Sequence, residues 1–101
     1  MTRYSVLILL LLAGCASPLP IITEEQSRHL TTRWPQVTSV NLNEGRTLYL
    51  SNCSSCHSLY RPSQFNDEQW ERIMNDMQMR AHLTDDEREL ILKYLIAANL
   101  K

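Results

Sequence analysis

Three reactive side chains, Cys53, Cys56 and His57, occur within five consecutive residues, and the fold of so short a chain has to accommodate them. With 101 residues the chain can form one small domain, and a core of that size is usually marginal without reinforcement. Cysteine and histidine are the residues through which small domains acquire a disulfide, a metal or a covalently attached cofactor. We therefore expect the fold to be organised around this cluster.

The order Cys-x-x-Cys-His is the spacing of covalent haem attachment. One turn of chain places both sulfurs beneath the porphyrin edge, where they form thioethers with the vinyl carbons, and His57 then directs its imidazole along the iron axis. A Cys53–Cys56 disulfide and a zinc site are alternatives, although zinc would need further ligands and only His29 and His82 are free to help. A thioredoxin-like motif would require a βαβ context, which the chain lacks. We favour one covalent haem c.

The N-terminal sequence predicts an export signal. Arg3 precedes an apolar run over 6–13, which is too short to span about 30 Å of hydrocarbon but fits a signal peptide. The sequence Leu12-Ala13-Gly14-Cys15 resembles the lipobox of bacterial lipoproteins, which implies cleavage after residue 14 and lipidation of Cys15. The alternative is cleavage near Ala16-Ser17, which would discard Cys15. Because Ala16 rather than Asp follows Cys15, the resemblance favours the outer membrane, on the periplasmic side.

Residues 15–40 have no clear hydrophobic period, so we predict a tether or N-terminal extension there. A short helix within 21–33 could begin at Thr23, with Gln26 as its capping partner. Trp34 is expected to pack back onto the folded unit, because an exposed indole on a tether would be unusual.

Residues 41–101 are predicted to form an all-α domain. Asn41 is expected to cap a helix reaching about Ser51, Asn66 to cap a helix over 67–77, and Thr84 with Glu87 to form a capping box for a helix ending near Asn99. The apolar stripes of these helices are Leu42, Gly45, Leu48 and Tyr49; Trp70, Ile73, Met74 and Met77; and Leu90, Ile91, Tyr94, Leu95 and Ala98.

A helix bearing Gly45 just upstream of the cysteine motif, together with Tyr94-Leu95 in the terminal helix, resembles a small monohaem class I cytochrome c over residues 41–99. The resemblance implies helices wrapped around one covalent haem, with the first and last helices crossing where Gly45 lies under Tyr94. A lone glycine costs about 1 kcal/mol in a helix relative to alanine, and a close crossing would explain its presence.

The resemblance also implies a sixth iron ligand, usually a Met thioether. Met77 is favoured because it lies seven residues after Trp70 and on the same apolar stripe, whereas Met79 is about 200° around the helix from Met77. Met79, Met74, His82 and an open site remain alternatives.

The resemblance also implies roles for two further residues. The Pro62 carbonyl would accept the Nδ1 proton of His57, although the gap between the two is short; alternatively Pro62 starts a turn with Ser63. Arg61 is a candidate partner for a haem propionate, or else a solvated side chain.

These features predict single-electron transfer between periplasmic or membrane redox partner proteins by a lipid-anchored haem protein. With 10 Lys+Arg against 11 Asp+Glu, the chain lacks the basic surplus that nucleic acid requires. No constellation typical of catalysis occurs, so we expect neither enzymatic activity nor a small-molecule substrate. The alternatives are a gas-binding sensor with an open sixth site, and an electron-accepting haem subunit of a larger oxidoreductase.

Overall fold

A computed structural model of the protein describes residues 19–53 and 59–100, and every regular element in these two ranges is helical. The α-helices are α1 (Glu24–Arg28), α2 (Ser39–Cys53), α3 (Asp67–Arg80) and α4 (Asp85–Ala98), with a 3₁₀ turn at Pro62–Gln64 between α2 and α3. The all-α prediction is confirmed. The signal peptide with Cys15, and the motif residues Cys56 and His57, lie outside the described residues.

Capping boxes begin three of the α-helices at the predicted caps, and the return bond from Gln69 at Asn66 is an addition to the prediction. The side chains of Thr23, Asn66 and Thr84 each accept a hydrogen bond from a backbone N–H three residues later. The residues at those third positions, two glutamines and a glutamate, bond back to the backbone of the cap. Each box satisfies N–H groups that have no partner within the helix, and so fixes where the helix starts.

The predicted start of α2 at Asn41 is wrong. Thr38 occupies the capping position: its Oγ1 accepts from the Asn41 backbone N–H at 3.1 Å and donates to Asn41 Oδ1 at 2.8 Å. The helix also continues past Ser51 to Cys53, and α3 continues to Arg80 rather than ending near Met77.

The closest helix crossing joins α2 and α4 at Gly45. A Cβ atom on Gly45 would clash with the Leu90 carbonyl oxygen and lie 2.7 Å from its carbonyl carbon and 2.9 Å from Tyr94 Cβ. The expected crossing of Gly45 and Tyr94 is therefore confirmed, and glycine is required because only a hydrogen fits between the two backbones.

The N-terminal extension packs onto the helices from Leu19 onward. Ile22 and Leu30 are buried in the same apolar cluster as α2 and α4. Trp34 is half-buried against that cluster, with the Arg33 guanidinium 4.8 Å and the Lys93 ammonium 5.7 Å from its ring. Packing of Trp34 onto the folded unit is confirmed, and the described part of residues 15–40 forms an extension of the domain.

The terminal helix α4 forms the centre of the core. Of the predicted stripe, Ile91, Tyr94 and Leu95 are buried, whereas Leu90 and Ala98 are only half-buried. The helix also buries Leu92, Ile96 and Ala97, because α2, α3 and the N-terminal extension pack around several of its sides. Among the described helices, neither α4 nor any other is long and apolar enough to cross a membrane.

Candidate haem site

The cysteine motif begins at the C-terminal end of α2. Cys53 is the last residue of that helix and is buried, while residues 54–58 lie outside the described part of the chain. The chain is described again from Leu59, which leads into the 3₁₀ turn. The structure thus places one of the two predicted thioether cysteines, and the roles of Cys56 and His57 stay predictions.

An apolar cleft lies beside Cys53. Its walls come from α2, from the segment before the 3₁₀ turn and from α3; the lining residues are Tyr49, Cys53, Tyr60, Trp70, Ile73, Met74 and Met77. We call this the haem cleft. Aromatic rings, aliphatic groups, one thiol and two thioethers suit a porphyrin, whose faces are apolar and whose iron takes sulfur ligands. The cleft is narrower than a haem, and residues 54–58, which join its Cys53 and Tyr60 walls, lie outside the described residues.

The candidate sixth ligands occupy different environments. Met77 is half-buried and lines the haem cleft. Met74 also lines it but is only 1% exposed within the core, whereas Met79 is 77% exposed and lies outside the lining. The helix phase assigned from the sequence is therefore correct, and the choice of Met77 as ligand remains a prediction that this placement supports.

His82 serves a structural role in the α3–α4 connection. Its φ of 55° lies in the left-handed region, and the Leu83 backbone N–H donates to the Gln78 carbonyl at 3.0 Å. This bonding closes the C-terminus of α3 as a Schellman motif, with the buried Leu83 covering the turn. His82 is exposed, and its side chain does not line the haem cleft.

The bond from His57 Nδ1 that the resemblance implied stays a prediction, because His57 lies outside the described residues. The structure shows one donor to the Pro62 carbonyl. The indole Nε1–H of Trp70 donates to it at 2.9 Å, in a buried hydrogen bond. Pro62 itself begins the 3₁₀ turn that contains Ser63, as the alternative interpretation held. This bond ties the turn to α3, so Trp70 both lines the haem cleft and holds the turn that follows Tyr60.

Edge-to-face aromatic contacts hold the same wall together. The Trp70 ring lies 6.3 Å from Tyr49 and 5.1 Å from Phe65, and Phe65 lies 5.3 Å from Tyr60, measured between centroids. The Tyr49 hydroxyl donates to the Tyr60 carbonyl at 2.7 Å. Burial raises the pKa of Tyr49 well above its ordinary value, so its phenol stays protonated and keeps donating.

Tyr60 belongs to the site although it was not among the predicted site residues. Its position three residues after His57, in a segment without periodicity, gave no signal that it would face the cleft. Tyr49 and Ile73 were expected as core residues, and both also line the cleft. Within the described ranges no group of three or more His, Cys, Asp or Glu side chains is positioned to hold a metal ion.

Comparison with known proteins agrees with this site. Residues 49–101 match the family model of the dihaem cytochrome c proteins, a segment that runs from Tyr49 through the cysteine motif, α3 and α4. The chain belongs to the dihaem cytochrome c family. It is thus a c-type cytochrome, a protein that binds haem c covalently and works in haem-based electron transfer. No curated protein and no solved structure matches the chain.

Proposed function

We propose that the protein is a single-electron carrier with one haem c, anchored by a lipid on Cys15 to the periplasmic side of a bacterial membrane, with the outer membrane favoured. Cys53 and Cys56 form the thioethers, His57 is the proximal iron ligand and Met77 the distal one. It passes electrons between redox partner proteins and has no enzymatic activity of its own.

The observation that carries the proposal is the position of two sulfur groups in one cleft. Cys53 at the end of α2 and Met77 on α3 line the same apolar cleft from different helices. A thioether attachment and a distal thioether ligand have to approach one haem from separate parts of the chain, and this arrangement supports both proposed roles.

The bound haem would supply a one-electron Fe(II)/Fe(III) couple. The protein would exclude water from the site and keep it rigid. Trp70 and Met74 are buried on its inner side, which limits access of water, and the Trp70–Pro62 hydrogen bond holds the adjoining turn in place. A site that changes little between oxidation states suits electron transfer, and its burial together with Met/His ligation would raise the potential.

One haem is proposed because the 101 residues contain one Cys-x-x-Cys-His motif, although the family is named for two haems. Mass spectrometry of the exported, denatured protein tests this directly. We expect a mass one haem larger than that of the processed, lipid-bearing chain, and Cys56→Ala should give a labile single thioether or none. A bare-chain mass would contradict haem attachment, and a mass with two haems would contradict the count.

The anchor is supported by the Leu12-Ala13-Gly14-Cys15 sequence alone. We expect wild-type protein to partition into detergent and Cys15→Ser to be released from the membrane or left unprocessed. Wild-type protein that is fully soluble in the periplasm would contradict lipidation while leaving the haem site unaffected.

A further inference from the structure

The N-terminal extension is attached to the domain at its very first described residues. Arg46 Nε donates to the Leu19 carbonyl at 3.1 Å, and the Tyr94 hydroxyl donates to the Pro20 carbonyl at 2.7 Å. Asn43 pairs with both backbone groups of Ile22, at 2.9 Å and 3.0 Å. These bonds fix residues 19–22 on the surface where α2 crosses α4, so the chain has little freedom after Leu19.

Few residues separate this attachment from the proposed lipid. Cys15 and Leu19 are four residues apart in the sequence, a stretch that reaches at most about 14 Å when fully extended. A lipid on Cys15 would therefore hold the domain surface around Leu19 close to the bilayer. A long flexible linker would instead let the domain move away from it.

That surface carries exposed apolar side chains. Ile22 faces the core, so the neighbouring Ile21 faces away from it and is 67% exposed; Val40 is also 67% exposed. Val40 lies three residues before Asn43 on α2, which places it on the same side of the helix as the residue that holds Ile22. Ile21 immediately precedes the residue that Asn43 holds, whereas Leu19 is half-buried against the core. We call the two exposed side chains, Ile21 and Val40, the anchor face.

Resting on the proposed lipidation of Cys15, we propose that the anchor face sits on the bilayer surface and orients the domain. Cys53 lies 13 residues beyond Val40 in α2, about 20 Å along the helix axis. The haem cleft is then held at the far end of α2, where a redox partner can approach from the aqueous side.

The contact is with the apolar and interfacial part of the lipid rather than with anionic headgroups. The exposed charged residues next to the anchor face in sequence are acidic: Glu24 and Glu25 follow the attached segment, and Glu44 follows Asn43. Acidic side chains do not favour a negatively charged surface. The orientation should therefore form on zwitterionic vesicles and persist at high salt.

Hydroxyl-radical footprinting read by mass spectrometry tests this. Wild-type protein in phosphatidylethanolamine/phosphatidylcholine vesicles is compared with Cys15→Ser protein in solution. Oxidation of Ile21 and Val40 should slow by about threefold or more on the vesicles. Tyr60, exposed beside Cys53, and Met79, exposed on α3, should be oxidised equally in the two samples and serve as internal references.

A variant pair makes the test specific. Val40→Glu keeps the lipid but should lose the protection at the remaining anchor-face residue Ile21, whereas Met79→Glu should keep the wild-type pattern. Equal oxidation of Val40 in both samples, or protection of Tyr60 and Met79 instead, would overturn the orientation. A wild-type chain without lipid mass would overturn it as well, whereas the haem mass and the reduced and oxidised spectra report on electron transfer independently.

Discussion

The indole nitrogen of Trp70 lies 2.9 Å from the carbonyl oxygen of Pro62, and this buried bond joins α3 to the turn that follows the Tyr60 wall of the haem cleft. Trp70 is 1% exposed, so water cannot replace the donor if it is removed. The bond makes a tryptophan in the cleft wall responsible for the position of the loop beside it.

Trp70→Phe should therefore lower the free energy of unfolding by about 1–3 kcal/mol, because it removes a buried hydrogen bond to the Pro62 carbonyl. Urea denaturation measures the change. Trp34→Phe is the matched control: its half-buried indole contacts Arg33 and Lys93 through the ring face, so the loss should stay below about 1 kcal/mol. Equal losses in the two variants would contradict a special role for the Trp70 N–H.

Gly45→Ala should destabilise the protein by about 2–3 kcal/mol, although alanine favours a helix. The added Cβ meets the Leu90 backbone, which cannot move aside as a flexible side chain could. The control is Glu44→Ala, which alters an exposed residue next to Gly45 on α2 and should change stability by less than about 0.5 kcal/mol. Thermal unfolding of the two variants measures the difference. A neutral or stabilising Gly45→Ala would mean that the helices cross elsewhere.

The three capping boxes and the Gly45 crossing were predictable because their signals are local or belong to the resemblance. Thr84 and Glu87, for example, stand three residues apart and need no tertiary partner to define a helix start. The packing of residues 19–22 was not predictable, since it depends on Asn43, Arg46 and Tyr94, which are distant in sequence. The same holds for the Trp70–Pro62 bond: nothing in the spacing of those residues shows which donor reaches the carbonyl.

Alkaline pH should weaken the attachment of the N-terminal extension. Burial raises the pKa of Tyr94 to about 12 from an ordinary value of 10.0, although Arg46 acts in the opposite direction. The unfolded chain then loses this proton before the folded one, so the stabilisation is complete below pH 10 and is lost as the pH rises toward 12.

Urea denaturation between pH 8 and pH 11.5, compared for wild type and Tyr94→Phe, measures this effect. The variant should be less stable at pH 8, because it lacks the bond to the Pro20 carbonyl, and its stability should decline less steeply with pH. Parallel pH profiles would show that the Tyr94 proton is not linked to folding.

His82→Gly should raise the free energy of unfolding by up to about 1 kcal/mol, because glycine adopts the left-handed conformation without the steric cost that His82 bears. His29→Gly is the control: His29 has a right-handed φ of −68°, so glycine there should destabilise by about 0.5–1 kcal/mol. If His82→Gly changes the spectrum of the oxidised haem, His82 is an iron ligand and its role is not confined to the turn.

The identity of the sixth ligand tests the account most directly, and the far-red absorbance of the oxidised protein reports it. Wild type should show the weak sulfur-to-iron charge-transfer band, and Met77→Ala should lose the band, bind CO and have a lower potential, because thioether ligation favours ferrous iron. Met79→Ala, which alters a side chain 77% exposed and outside the cleft lining, should retain the band. A band that survives in Met77→Ala and disappears in Met79→Ala, or a wild type that binds CO freely without any band, would contradict the proposed site.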